Sequence, residues 1–232
     1  MCLDEDIDSL MSIHKPKPKI IHIENGSLIS STGTGADAAS IDIQGTSGIG
    51  SNWSYGVLIR DSATQISTID GEIQISGEGA ATSSGTGYSG VVVDGSQIFS
   101  TGRGAYAGSI TVNGTGGTAD SNNFGIFLVN GAEMTSVDGN ISLTGQGGNA
   151  TGTGNLGVYV SNGSEISSTG LGSEAAVITI NGTAGFGSAY NTGINMENSS
   201  LTSVDGAISL TGQGGSGSNI ANFGVNTFNS VI

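Results

Sequence analysis

The sequence predicts an all-β chain folded as a right-handed parallel β-helix, a solenoid of about six coils of 31–36 residues with three short strands each. Three observations predict it. A unit recurs down the chain, apolar residues alternate within each unit, and an Asx–Gly or Asx–Ser pair stands at one fixed place in the unit.

The unit opens as GVLIRDS at Gly56, GVVVDG at Gly90, GIFLVNG at Gly125, GVYVSNG at Gly157, GINMENS at Gly193 and GVNTFNS at Gly224, with IIHIENG at Ile20 as the first copy. From Gly56 onward successive openings lie 31–36 residues apart, and alternate openings 67–69 apart, so two unit types alternate. After the opening run comes a second one, centred on Ile29, Ile66, Ile98, Met134, Ile166 and Leu201. The third run is a pair two residues apart: Ile41/Ile43, Ile73/Ile75, Ile110/Val112, Ile141/Leu143, Ile178/Ile180 and Ile208/Leu210. Alternation over four to six positions, bounded by Gly, Ser and Asn, reads as half-buried strands. No stretch holds the i, i+3, i+4 spacing long enough for a helix. Three short strands cannot bury an apolar face alone, but stacked units can. Strands of successive coils then lie about 4.8 Å apart, and parallel crossovers are almost always right-handed.

The turn after the first strand carries Asn25, Asp61, Asp94, Asn130, Asn162, Asn198 and Asn229, each followed by Gly or Ser, with Asp94 aligned after a one-residue deletion. Asx and Gly tolerate positive φ, and stacked amides can hydrogen-bond from coil to coil, so this is read as a structural Asx ladder. Glu24 and Arg60 both fall four residues after their unit's opening, which predicts an ion pair between adjacent coils.

Composition and charge narrow the function classes. Among 232 residues there are 42 glycines and 2 prolines, mean hydropathy is +0.06, and only 10% of residues are charged. Globular domains are typically about a quarter charged, so the composition argues against a conventional enzyme. Net charge is −14, and beyond Lys15, Lys17 and Lys19 the only cations are Arg60 and Arg103. A nucleic-acid ligand is excluded, because phosphates must be neutralised by Lys and Arg. Anionic membranes and polyanionic sugars are disfavoured for the same reason. Cys2 is the sole cysteine, so no internal disulfide forms. No apolar run is long enough to insert into a membrane as a helix, and residues 1–19 lack the features of a signal peptide. Those residues are expected to be a non-repeat leader, disordered or with a short helical turn. Residues 20–232 are expected to form a single β-helix domain truncated mid-coil. The truncation should leave the strands at Leu201 and Ile208–Leu210 uncovered, which predicts end-to-end self-association of the isolated fragment.

The segments MTSVDGNISLTGQGGNATGTGNLGVYV from Met134 and LTSVDGAISLTGQGGSGSNIANFGVNT from Leu201 resemble the repeats of very large bacterial exoproteins. These belong to the filamentous-haemagglutinin-like, hemagglutination-activity-domain group. The resemblance covers roughly residues 20–232. It implies a right-handed parallel β-helix, two-partner secretion across the outer membrane of a Gram-negative bacterium, and an adhesive or structural role at the cell surface. Partners implied are surface glycans or proteins of a host or neighbouring cell, or other copies of the rod. The family supplies no catalytic motif. Its N-terminal secretion module is missing here, so the chain is expected to be a fragment of a larger exoprotein.

Little in the chain points to chemistry, and no cofactor or metal site is expected. Only His14 and His22 are available as imidazoles. Asp70, Asp138 and Asp205 recur in alternate units, where the intervening units have Gly33, Gly102 and Gly170. Carboxylates two coils apart are separated by about 9.6 Å, too far to share a calcium ion, so a turn-forming role is expected. Glu133 and Glu165 are different: they fall in neighbouring coils, with Cα atoms about 5 Å apart. Paired carboxylates near that spacing serve retaining glycosidases. The alternative reading is therefore a carbohydrate-binding or polysaccharide-acting β-helix using Glu133 and Glu165, or a cation held between them. Outward positions of the third strand, Asp42, Gln74, Thr111, Ser142, Thr179 and Ser209, form a polar face. Leu58, Phe127 and Tyr159 form an outward apolar stripe on the first strand, able to stack on sugars or on another rod.

Overall fold

The computed structural model describes residues 19–232 except Ser51, Thr82, Ser83 and Ser218. They form a β-solenoid of about six turns built from three parallel sheets. Of the expected leader, residues 1–19, residues 1–18 lie outside the described residues. Lys19, assigned to that leader from sequence, meets the first coil, where its carbonyl accepts the Thr46 N–H at 3.0 Å.

Each coil contributes one strand to each sheet. The fourth coil, for example, supplies Ile126–Val129, Glu133–Ser136 and Ile141–Gln146. The first sheet has seven strands, from Ile21–Ile23 to Val225–Phe228. The second and third have six each, ending at Ser200–Ser203 and Ile208–Gln213. Pairing is in register from coil to coil. In the third sheet Ile73, Ile110, Ile141, Ile178 and Ile208 are successive partners. Because side chains alternate across a strand, one register places the recurring inward Ile, Val and Leu of all three strands inside. The interior is a single apolar column, with Ile59, Ile66, Ile75, Leu128, Met134, Leu143 and Ile180 fully buried. A fully buried aliphatic side chain contributes about 1.5–3 kcal/mol, so the repeated column dominates the stability of the rod.

Glycine sets the sharpest corner. The third strand's Gly145 lies so close to the opening Gly157 that a Cβ on Gly145 would stand 2.1 Å from the Gly157 carbonyl oxygen. Gly77 against Gly90, Gly114 against Gly125 and Gly182 against Gly193 repeat this contact, each with 2.1 Å to the carbonyl oxygen. The glycine that opens each unit and the glycine two residues after the third-strand pair are thus two sides of one backbone crossing.

The two-coil periodicity has a local cause. Odd coils have a long turn after the second strand with a positive-φ glycine, at Gly35 (80°), Gly104 (71°) and Gly172 (74°). Even coils have a short turn whose Asp70, Asp138 and Asp205 carboxylates accept the N–H of those same three glycines, at 2.7 Å each. On the other side, a Cβ on Gly102 would lie 2.6 Å from Asp70 Oδ1, and one on Gly170 would lie 2.5 Å from Asp138 Oδ1. Asp70 and Asp138 are therefore each wedged between two long turns, Asp205 meets the Gly172 turn, and the Asp/Gly alternation is one interaction repeated up the rod. The turn-forming role expected for these aspartates is what the structure contains.

At the C-terminal end one expectation is corrected. Leu201 is not uncovered but 0% exposed. The turn at Asn229–Ser230 brings the chain back over the second sheet, where Val231 donates to the Ser199 carbonyl at 3.1 Å and accepts the Leu201 N–H at 2.9 Å. The third-sheet strand Ile208–Gln213 has a partner strand on one side only among the described residues, and Ile208 and Leu210 stay half-buried.

Candidate functional site

Most of the Asx ladder is built as expected, and it serves the turns. Asn25, Asp61, Asn130, Asn162, Asn198 and Asn229 all have positive φ, between 48° and 72°. Asp94 is a correction. It pairs in register with Arg60 and Val129, so it ends the strand one place early, and Gly95 (φ 67°) holds the left-handed position. The deleted residue belongs to the turn, not the strand. Asp94 still accepts the Asn130 amide at 2.8 Å, and Asn130 accepts that of Asn162 at 3.4 Å. Asn198 accepts that of Asn229 at 2.6 Å. Between Asp61 and Asp94, and between Asn162 and Asn198, the coil-to-coil link is made by backbone instead, Asp61 N–H to the Asp94 carbonyl at 2.8 Å and Gly163 N–H to the Asn198 carbonyl at 2.7 Å.

Asp61 is the most heavily engaged member. Partial desolvation alone would raise its carboxyl pKa, but hydrogen bonds from the backbone N–H groups of Asn25, Gly26 and Ala63 and the Thr64 hydroxyl hold it below its ordinary value. A depressed folded-state pKa contributes stability above the unfolded value and loses it as pH falls through the folded one. Acidification below the ordinary carboxylate range, about pH 4, is therefore expected to free the Asn25–Gly26 turn. Amide exchange at Asn25 and Gly26 measured down a pH series checks this; protection that does not change as Asp61 protonates would contradict it.

A second asparagine ladder was not read from the sequence. Asn123, Asn155 and Asn191 are each 0% exposed and stack beneath Asn222 just before the first strand. Asn155 Oδ1 accepts the Asn123 amide at 2.8 Å and the Asn123 backbone N–H at 3.3 Å. Asn191 Oδ1 does the same for Asn155, both at 3.2 Å, and Asn222 Oδ1 for Asn191, at 3.0 and 3.1 Å. In the third coil the equivalent residue is Tyr88, buried, with its hydroxyl donating to the Gly50 carbonyl. The available signal was N-x-G-[IV], an asparagine two residues before each of four opening glycines.

Glu133 and Glu165 are brought together as register partners. Glu133 Oε2 accepts the Gln97 amide at 2.9 Å, and Gln97 Oε1 accepts that of Gln65 at 2.9 Å, so one carboxylate is tied into a row of amides along the sheet. The following residue in the row is Ser200. Neither glutamate lines the groove described below. Among the described residues no three or more His, Cys, Asp and Glu side chains gather as a metal site.

The expected ion pair is present, with Arg60 Nε 3.0 Å from Glu24 Oε2, and His22 Nε2 is also 3.0 Å from that oxygen. Exposed pairs are worth about 0–1 kcal/mol, so its interest lies in fixing the register of the first two coils. Nearby, burial first and then the Asp94 carboxylate raise the Tyr55 phenol pKa, with Arg60 opposing.

The outer face of the first sheet is the site with the richest chemistry. Leu58, Val92, Phe127, Tyr159, Asn195 and Asn226 stand in register along it. Phe127 and Tyr159 stack with centroids 4.9 Å apart and planes 7° from parallel. Phe124 packs obliquely against both, at 4.9 and 5.6 Å. The Tyr159 hydroxyl donates to Glu197 Oε2 at 3.0 Å, and burial followed by that carboxylate holds its phenol above the ordinary pKa. Asn226 donates its amide to Asn195 Oδ1 at 2.6 Å. Beside this row lies an open groove of about 510 Å³, whose walls include Phe124, Tyr159, Tyr190, Asn195, Phe223 and Asn226.

The backbone at the lip of this face is left-handed in each coil from the second to the seventh, at Trp53 (54°), Gly87 (78°), Asn122 (60°), Gly154 (74°), Tyr190 (57°) and Ala221 (63°). Glycine and asparagine suit that conformation; bulky residues are genuine outliers there. By contrast the third sheet's outward row, Asp42 through Ser209, is polar and in register as expected. No protein-family model, curated protein or solved structure matches this chain. No helix among the described residues is long and apolar enough to cross a membrane.

Proposed function

We propose that the chain is a non-enzymatic structural and adhesive rod, a segment of a secreted or surface-exposed bacterial exoprotein. The observation that carries this reading is the continuous in-register stacking of coils around one apolar column, with long, regular outer faces. A stack of this kind spaces and displays side chains at about 4.8 Å per coil. The resemblance of the SVDG-x-I-x-L-x-G units to filamentous-haemagglutinin-like repeats supports the surface role and its Gram-negative setting. The partners in this reading are glycans or proteins of an opposing surface, or further copies of the rod. The half-covered strand Ile208–Gln213 supports end-to-end pairing of the 232-residue chain, since an unpaired strand edge is a template for another strand.

Beads coated with the purified chain test the reading by their attachment to bacterial and host-cell surfaces under flow. Attachment above that of beads coated with an unrelated acidic protein is expected, unchanged by Glu133→Gln with Glu165→Gln. Absence of attachment would overturn the adhesive role. Release of new reducing ends from a polysaccharide, lost in that double variant, would favour the hydrolytic alternative instead.

A further inference from the structure

We propose that the groove on the outer face of the first sheet, spanning the fourth coil to the start of the seventh, binds a neutral oligosaccharide. The inference deepens the adhesive reading above and rests on it. The walls combine two chemistries. Phe124, Tyr159, Tyr190, Phe223 and Phe228 offer aromatic rings, and among these Tyr190, Phe223 and Phe228 are 55%, 49% and 63% exposed. Asn195 and Asn226 offer neutral hydrogen-bonding groups between the rings, while the buried Thr192 hydroxyl donates to the Ala221 carbonyl at 3.3 Å. Asn226 spends one amide hydrogen on Asn195 Oδ1, which leaves the Asn195 amide and the Asn226 carbonyl as an outward donor and acceptor in neighbouring coils. A pyranose has the matching pair of surfaces, an apolar C–H face and a rim of hydroxyls that both donate and accept. Pockets that orient a ligand by a few polar groups on a mostly apolar wall follow the same logic.

Charge selects the neutral class. The chain carries −14, and no Lys or Arg lines the groove. The carboxylate in the wall, Glu197, is already engaged by the Tyr159 hydroxyl. An anionic glycan would meet repulsion without a cation to offset it. Tyr190 adds an independent sign. The two preceding coils place Gly154 and Asn122 at its position, residues that accept left-handed backbone freely, and the next coil a small residue, Ala221 (φ 63°), whereas the bulky Tyr190 is held at φ 57° with its ring exposed at the groove. Bulky residues kept in sparsely populated conformations cluster at ligand clamps. Farther along the same sheet the row closes up, with Val92 only 4% exposed between Leu58 and Phe127.

The test is a titration of the isotope-labelled chain with cello-, malto- and chito-oligosaccharides, followed by NMR, with a heparin fragment as the anionic control. Saturable shifts at Tyr159, Tyr190, Asn195 and Asn226 are expected with at least one neutral series and none with heparin. Tyr190→Gly removes the ring while suiting the backbone, so it should weaken binding about tenfold or more with Tm kept or raised. Tyr159→Phe, which keeps the ring, should retain binding and shows that the face has not collapsed. No shift with any neutral series overturns the proposal, as does unchanged affinity in Tyr190→Gly. Concentration-dependent broadening of the same residues without sugar, with dimers on sedimentation, would assign the groove to a second copy of the chain and overturn it too. The two readings fail separately. Bead attachment that survives Tyr190→Gly removes the groove but not the adhesive rod, while sugar binding without bead attachment does the reverse.

Discussion

Gly145→Ala is expected to destabilise the rod by about 3 kcal/mol or more, at the upper end of what overpacking costs. The added Cβ would stand 2.1 Å from the Gly157 carbonyl oxygen, 2.6 Å from its carbon and 2.7 Å from Val158 Cγ2. Two of those three atoms are backbone, and the backbone there is pinned. A Cβ on Gly157 would itself meet the Thr183 nitrogen at 2.5 Å and the Gly193 oxygen at 2.6 Å. The corner can open only by separating the third strand of one coil from the first strand of the next. For a chain of this size the loss corresponds to a Tm lower by roughly 6–12 °C. Ser142→Ala, three residues earlier on the outward face, is the control and should shift stability by no more than about 0.5 kcal/mol. Thermal unfolding followed by circular dichroism measures both; equal melting of the two variants would show that the glycine crossing is not tight.

Asn155→Ala should cost about as much, for a different reason. Asn155 sits in the middle of the buried ladder at 0% exposure. Truncation leaves the Asn123 backbone N–H and one Asn123 amide hydrogen without their shared acceptor, and the Phe186 carbonyl without the Asn155 amide that reaches it at 3.1 Å. The Phe186 carbonyl keeps the Ala150 N–H, so two buried donors are left unpaired at about 1–3 kcal/mol each, and a loss of about 2–6 kcal/mol is expected. Loss of protection should concentrate at Asn123 and its neighbours, because each coil of a solenoid contacts only the next. Hydrogen exchange reads this directly. Exposed Asn162→Ala, in the outer ladder, should change stability far less, since water replaces its partners; a larger effect there would reverse the assignment of the two ladders.

These two features mark where sequence reading succeeds and where it stops. Alternating Ile, Val and Leu were legible because a strand has period two and a solenoid needs one buried stripe. The register was legible to the residue at Glu24 and Arg60. The Asp70, Asp138 and Asp205 alternation was visible, but its cause was not, because it depends on Gly35, Gly104 and Gly172 in the preceding coils rather than on any local motif. Asp94 was misplaced by one residue since a deletion can fall in a turn or a strand without changing the spacing around it. The buried ladder was hidden by composition: in a chain so rich in asparagine, N-x-G carries no hint of burial. Leu201 was expected to be bare because the unit alignment ended at Ser230, while the fold lets Val231 turn back and pair. At the candidate site, the stripe of Leu58, Phe127 and Tyr159 could be read, but Tyr190 and Phe223 reach the groove from turns just before the opening glycines, which the strand alternation does not describe. Glu133 and Glu165 were paired correctly, yet the Gln97 amide that ties one of them down is a contact in a third coil.

Disulfide trapping across one coil boundary tests the parallel in-register stack most directly. Ser142 and Thr179 are register partners on the outward face of the third sheet. Their Cα atoms should be about 4.8 Å apart, within disulfide reach. In a Cys2→Ser background, Ser142→Cys with Thr179→Cys is expected to oxidise within one molecule to near completion. Ser142→Cys with Asn181→Cys, displaced by two residues along the same face, should remain reduced. Oxidation of the displaced pair with the aligned pair left reduced would contradict the stack and everything built upon it.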